Sequence, residues 1–397
     1  MRRFLPPRLA LLALGHFSID AYSSFYTPLL PLLIAKLNLS LTLVGTLVAL
    51  ASLTGSFAQP LFGWISDRLY RPWFVALGPI VAALLLSSVG LASSYWGLVG
   101  LLMLGGIGVA AFHPQAAVLA SEAAPKRSMA MAVFVSGGTL GFSLGPLFAV
   151  AIVGMFGLER TWIAALPGVL VGAVLLAWFG RERPRPRLVG PRPRVAELRP
   201  VLRPLVLLYL AVVVRSAVSL GFMTFLPIEL TRRGVSVGNA GALVTLYLMA
   251  GALGGFFGGW LSDRWGGRRV VIMSFLGAAP LFFAFVFLPF LPGLVCLVLG
   301  SFVLQTSLPV NVVMGQELSP RHSSTISSLL MGAAWGVGAV MVSPVGAIAD
   351  AFGLETGLTC LAALLTGGAA CALALPDIRA KASPTKLASP VTGAAGK

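Results

Sequence analysis

Three side chains stand out for the chemistry they could do in apolar surroundings. His16 and Asp20 lie four apart in "GHFSIDAYSSFYTPLLPLL" (15–33), a stretch otherwise suited to lipid, and His113 lies in another. An Asp at the centre of a membrane helix costs about 2.5–3.5 kcal/mol on insertion scales, so an acid kept there is expected to have a function. His16, Asp20, Ser23 and Thr27 follow one another at +4, +3 and +4, one face of a helix, while the other faces carry Phe, Ile, Leu, Tyr and Ala. The acid therefore faces protein or water. Imidazoles and a carboxyl whose proton affinities answer to their neighbours suit the uptake and release of protons. Two His and an acid could also ligate zinc, and an intramembrane metal-dependent enzyme is the remote alternative. No nucleophile motif or second metal signature accompanies them, so no catalytic residue, metal or cofactor is expected.

The elements that must position these residues are apolar and long. The chain has 397 residues, 57% hydrophobic and 10% charged, with a mean hydropathy of +0.94. Runs of about 20 apolar residues, each enough to cross a hydrocarbon core as a helix, recur at 9–36, 42–64, 73–92, 95–120, 128–155, 161–180, 204–230, 238–262, 270–289, 292–318, 323–350 and 355–375. The basic start and first apolar run resemble a signal peptide, but the run is too long and no small-residue cleavage site follows, so it is read as the first span. The net charge of +16 raises nucleic acid as a partner. Mapping removes that reading. With the N-terminus inside, 23 of the 28 Lys and Arg fall in cytoplasmic segments and 4 on the opposite side, leaving Arg215 within a helix. That asymmetry is the positive-inside pattern. It puts both termini in the cytoplasm and leaves no basic soluble domain for nucleic acid. Cys296, Cys360 and Cys371 sit in apolar helices without CxxC spacing and read as core residues.

The chain also repeats itself. Shifted by 196 residues, Pro31 falls on Pro227, Gly45 on Gly241, Gly63 on Gly259 and Asp67 on Asp263, and "GWISDR" (63–68) and "FGLE" (156–159) meet "GWLSDR" (259–264) and "FGLE" (352–355). A six-helix unit has been duplicated. The expected architecture is all-α: twelve transmembrane helices in two pseudo-symmetric six-helix bundles, residues 1–180 and 204–375. Between them lies a basic, proline-rich cytoplasmic linker, 181–203, and a disordered cytoplasmic tail is expected at 376–397. Parallel repeats of this kind build secondary transporters, with cargo held between the halves near mid-membrane.

"GGWLSDRWGGRR" (258–269) resembles the signature loop between the second and third helices of each half in the major facilitator superfamily, through Gly259, Asp263, Arg264, Gly266, Arg268 and Arg269. The first copy, "FGWISDRLYRPW", keeps Gly63, Asp67 and Arg68 without the later glycine and paired basics. "GHFSID", "QPLFGWISDRLYRPW" (59–73) and "GIGVAAFHPQAAVLASEAAPKRSMAMAVFVSGGTLGFSLGP" (106–146) are similar to the fosmidomycin resistance efflux family within it. After "FHP" that family commonly has an acid, where this chain has Gln115. "GFSLGP" resembles the fifth-helix motif of drug–proton antiporters and reads equally as a Gly/Pro packing kink.

The resemblance implies that helices 1, 4, 7 and 10 line a central cavity, and the strongly polar mid-helix residues fall there. His16 and Asp20 are on helix 1, His113 on 4, Arg215 on 7, and Gln305 and Asn311 on 10. Asp20 and Arg215 each lie about 17 Å from the inner ends of their helices. Asp20, His16 and His113 are expected to carry coupling protons. Arg215, Ser23, Thr27, Gln115, Gln305 and Asn311 are expected to meet cargo, with Arg215 as a seat for an anionic group or as the counter-ion of Asp20. Gly63, Asp67, Arg68, Glu122, Gly259, Asp263, Arg264, Arg268 and Arg269 are expected at a cytoplasmic gate, the glycines permitting close helix approach. Glu159, Glu229, Asp350 and Glu355 read as outer loop and helix-end residues. The expected function is proton-coupled efflux of a small anionic or drug-like molecule by alternating access, in a bacterial inner membrane, by a monomer that is not an enzyme. An uptake symporter or uniporter is the alternative, since no residue fixes flux direction.

Overall fold

In the computed structural model, residues 6–69, 72–181 and 195–376 are described, and their secondary structure is helical. Most of the expected linker, including Arg192, and the tail beyond Pro376 lie outside these residues, as do the side chains of Asp67 and Arg68. Twelve rods follow in order. α1 runs Pro7–Ser23 and continues through a tight turn, Thr27–Leu29, into Leu30–Leu37. α2 is Leu41–Phe57 extended by Gln59–Leu69. α3 is Trp73–Ser87, α4 Tyr95–Glu122, α5 Arg127–Phe156 and α6 Ala165–Phe179. In the second half α7 is Leu202–Arg232, α8 Val237–Trp265, α9 Gly267–Phe287 and α12 Leu354–Leu373. α10 is Phe290–Gln305 with Ser307–Leu318. α11 runs from Ser323 to Phe352 through a π turn at Leu329–Ala333.

Eleven of the rods are uninterrupted enough, long enough and apolar enough to cross a bilayer on their own. The twelfth, α1, was expected as one span over 9–36, but the helix breaks at residues 24–26, just before Pro28 and Pro31. Prolines remove backbone donors and crowd the preceding turn. Thr27 Oγ1 donates to the Ser24 carbonyl at 2.8 Å inside the break. The duplication is visible in the backbone: Gly157 and Gly353, the glycines of the two "FGLE" copies, end α5 and α11 at φ +83° and +93°. Only glycine enters that region cheaply.

Both described ends of the chain lie on one face, here called the near face. Arg8 stacks on Phe179 at the end of α6, and Arg268 at the start of α9 donates to the Leu373 carbonyl at 2.6 Å at the end of α12. The halves meet along α2 with α11 and along α5 with α8. Several cross-half hydrogen bonds lie toward the far face. Asp350 accepts from the Leu41 and Thr42 amides, each at 2.8 Å, and from Thr42 Oγ1 at 2.6 Å. Thr46 and Ser343 share a bond at 2.8 Å, and the Leu147 amide donates to Thr245 Oγ1 at 3.1 Å. Side chains at Gly45 or Gly346 would run into the facing backbone of α11 or α2, so these glycines set the separation.

Candidate functional site

One helical turn stacks His16 and Asp20 on the same face of α1, and α4 brings His113 to the other side of the carboxyl. His16 Nε2 lies 3.2 Å from Asp20 Oδ2, and His113 Nε2 lies 3.2 Å from Asp20 Oδ1. Each imidazole is held at its other nitrogen by a backbone carbonyl: His16 Nδ1 is 2.8 Å from Phe134 O on α5, and His113 Nδ1 is 2.8 Å from Val109 O one turn back on α4. A carbonyl only accepts, so both Nδ1 atoms carry hydrogen. A neutral imidazole so held turns a bare lone pair toward the carboxylate, and the contact is attractive only when a proton sits between them. The two contacts are thus two proton places. With both filled the cluster carries a net charge of +1. With one filled it is neutral, and with none it is −1 and repulsive on both sides.

The walls keep the cluster in register. The His16 ring stacks on Phe134 at 4.1 Å and meets His113 edge-on at 5.0 Å. Any side chain at Gly138 on α5 would overlap His16 Nε2 and Asp20 Oδ2. Gly141 and Gly145 likewise press α5 onto the backbone of Phe17 and Ala21, so the "GFSLGP" stretch packs α5 on α1. Side-chain exposures of 9%, 18% and 23% for His16, Asp20 and His113 leave the cluster enclosed but reachable by water. The three donor atoms lie within 4.8 Å of one another, near enough for one metal ion as well as for shared protons.

The other expected site residues divide. Arg215 does not pair with Asp20 in this structure. Its Nη1 donates to Gln305 Oε1 at 2.9 Å and its Nη2 to Ser216 Oγ at 3.2 Å, because α7 turns it toward α10 within its own half. Gln305 also donates to Ser219 Oγ at 3.4 Å. Asn311 is buried, with both amide atoms unpaired. Gln115 is held by α2 and α3. Its Oε1 accepts from the Phe74 and Val75 amides at 3.1 and 3.2 Å, capping the first turn of α3, and its Nε2 donates to Ser66 Oγ at 3.0 Å. Ser23 and Thr27 turn back on their own backbone, donating to Ile19 O at 3.0 Å and Ser24 O at 2.8 Å.

At the expected gate, Gly259 has nothing within 4 Å of where a side chain would begin, and Gly63 has only ordinary contact with Pro114. The close approach falls one residue earlier, at Gly258, which faces the Thr306 backbone. Arg264 stacks on Trp260 of its own helix at 4.0 Å. Arg268 ties α9 to α12, while Glu122, Asp263 and Arg269 are exposed at near-face ends. Sequence reasoning missed the Phe134 and Val109 carbonyls, Gly138, and Asp350 as a cross-half contact. The glycine spacing 137, 138, 141, 145 was the available signal for the second of these.

Twelve membrane-crossing rods in two repeated halves, with a partly buried ionisable cluster on α1 and α4, define a secondary-transporter fold. Residues 12–343 match the family model of the Major Facilitator Superfamily. The chain belongs to that superfamily, whose members are membrane transporters and not enzymes. It is 28% identical over 361 residues to the fosmidomycin resistance protein of Escherichia coli (strain K12), covering 87% of each chain. It is 29% identical over 373 residues to the uncharacterized MFS-type transporter YfnC of Bacillus subtilis (strain 168), covering 90% of each. Among solved structures, a bacterial homolog to the human lysosomal transporter Spinster, in an inward-facing and occupied conformation, superposes with a TM-score of 0.79 at 20% identity, over 92% of this chain and 95% of that one.

Proposed function

We propose that this chain is a proton-coupled antiporter that exports a small molecule by alternating access, from a bacterial inner membrane with both termini in the cytoplasm. The observation that carries the reading is the Asp20 carboxyl held between His16 Nε2 and His113 Nε2, with both imidazoles anchored at Nδ1. Two proton places at one carboxyl let the site change charge without moving its side chains. Similarity to a protein named for fosmidomycin resistance favours export over uptake.

In this cycle the halves close at the far face through Asp350 and open there when the near-face helix ends bearing Asp67 and Asp263 come together, with Glu122 and the neighbouring basics at that gate. Protons enter the cluster from outside as cargo leaves, and return to the cytoplasm as new cargo binds. The near face is the cytoplasmic one, so a cysteine placed at Arg192 should be labelled from the cytoplasm only. A monomer is sufficient, since both halves of the cavity come from one chain.

The test is flux in proteoliposomes. A thermal-shift screen finds a cargo, counterflow establishes that it moves, and a pH dye inside the vesicles follows protons. Cargo added outside should drive protons opposite to cargo. Cargo movement without proton movement would make the chain a uniporter, and movement of both in one direction a symporter.

A further inference from the structure

Arg215 is a full charge inside the membrane-spanning core with no acid beside it. It is 2% exposed, its two bonded partners, Gln305 and Ser216, are neutral, and its Nε is buried without an acceptor. No ion pair reaches it among the described residues, and Asp20 is occupied by two imidazoles. The face of Trp335 on α11 lies 5.9 Å from its guanidinium carbon, and Trp335 meets Phe142 on α5 of the other half edge-on at 6.5 Å. Asn311 follows Gln305 by six residues on α10, about 9 Å along the helix. It is 1% exposed, and both its Nδ2 and Oδ1 lack partners.

Burying a cation without a counter-charge is unfavourable, and so is burying an amide that neither donates nor accepts. Both occur here on α7 and α10, the counterparts in the second half of the helices that carry the proton cluster. A ligand that brings an oxyanion to Arg215 and a donor–acceptor group to Asn311 removes both costs at once. The guanidinium fork matches carboxylate and phosphate oxygens, and an aromatic face can orient it. We infer that Arg215, stacked on Trp335, is the subsite for the oxyanion of a small organic cargo, a carboxylate or a phosphate, with Asn311 receiving a second polar group. The Trp335–Phe142 contact then reports occupancy of the second half to the first. This inference rests on the transporter reading above and assigns the chemical class of its cargo.

The experiment is thermal unfolding of the full chain in detergent, which needs no pH gradient. Benzoate and phenyl phosphate should each raise Tm in a concentration-dependent way, while benzyl alcohol, with no oxyanion, should not. A response to only one of the two acids identifies the head group. Arg215→Gln and Arg215→Met should abolish the response. Without any ligand, Arg215→Met should unfold at a temperature equal to or above that of the wild type, because an uncompensated buried charge has gone. Equal stabilisation by benzyl alcohol, no response to either acid, or a clear fall in Tm for ligand-free Arg215→Met would overturn the inference. In the last case Arg215 is a packing residue. Loss of proton coupling with the oxyanion response intact would instead count against the antiport reading alone.

Discussion

His113 reaches Asp20 at 3.2 Å from α4, opposite to His16, which reaches it from the same helix at the same distance. The carboxyl is thus shared between the two packed helices, and in the antiport cycle proposed above a movement of α4 against α1 would alter the number of protons the cluster holds. Removing one imidazole leaves one proton place. His113→Gln should insert and fold normally but lose the doubly protonated state. The pH dependence of cargo exchange should become shallower than in the wild type. An unchanged profile would mean that His113 is only a wall of the site.

Gln115 separates a structural from a cargo-binding role. Gln115→Leu leaves the Phe74 and Val75 amides without their acceptor, and a buried unsatisfied donor costs about 1–3 kcal/mol. Tm should fall, while exchange per folded molecule stays near wild type. Gln115→Glu keeps an acceptor at the positive end of α3 and should be tolerated. A selective loss of cargo affinity in either variant, with Tm unchanged, would return Gln115 to the cavity.

Asp350 gathers three hydrogen bonds from the start of α2, across the join between the halves. It is exposed, so water competes for each bond, and the contact is worth about 1–2 kcal/mol, or roughly tenfold in population. Asp350→Ala should shift the balance toward states open at the far face. Spin-label distances between the far ends of α2 and α11 should lengthen on average. Asp263→Asn, at the opposite face, should shift the balance the other way. Distances that do not move in Asp350→Ala would reduce this contact to a surface bond.

Much of this was legible in the residues. The i, i+4 pair His16–Asp20 on a polar stripe already announced a protein-facing acid, and the matched "SDR" and "FGLE" copies announced two halves. Asp20 with His113 could be anticipated only from depth along two helices. What could not be read depends on how helices dock. Gln115 caps α3 because α4 passes its first turn, and Asp350 looks like any helix-end acid until α11 meets α2. Gly259 was named for close packing, but the helix face turned to α10 carries Gly258. The carbonyls of Phe134 and Val109, which fix both imidazole tautomers, have no sequence signature at all, because every residue has a carbonyl.

The most direct measurement of the central claim is Asp20→Asn in proteoliposomes, with and without an imposed pH gradient. Asn cannot exchange a proton with either imidazole, but it preserves the size of the side chain. The account predicts that gradient-driven uphill transport disappears while cargo-for-cargo exchange, which needs no net proton movement, continues at a comparable rate. Uphill transport by Asp20→Asn at near wild-type rate would contradict it and make the carboxyl between the two histidines a structural bridge.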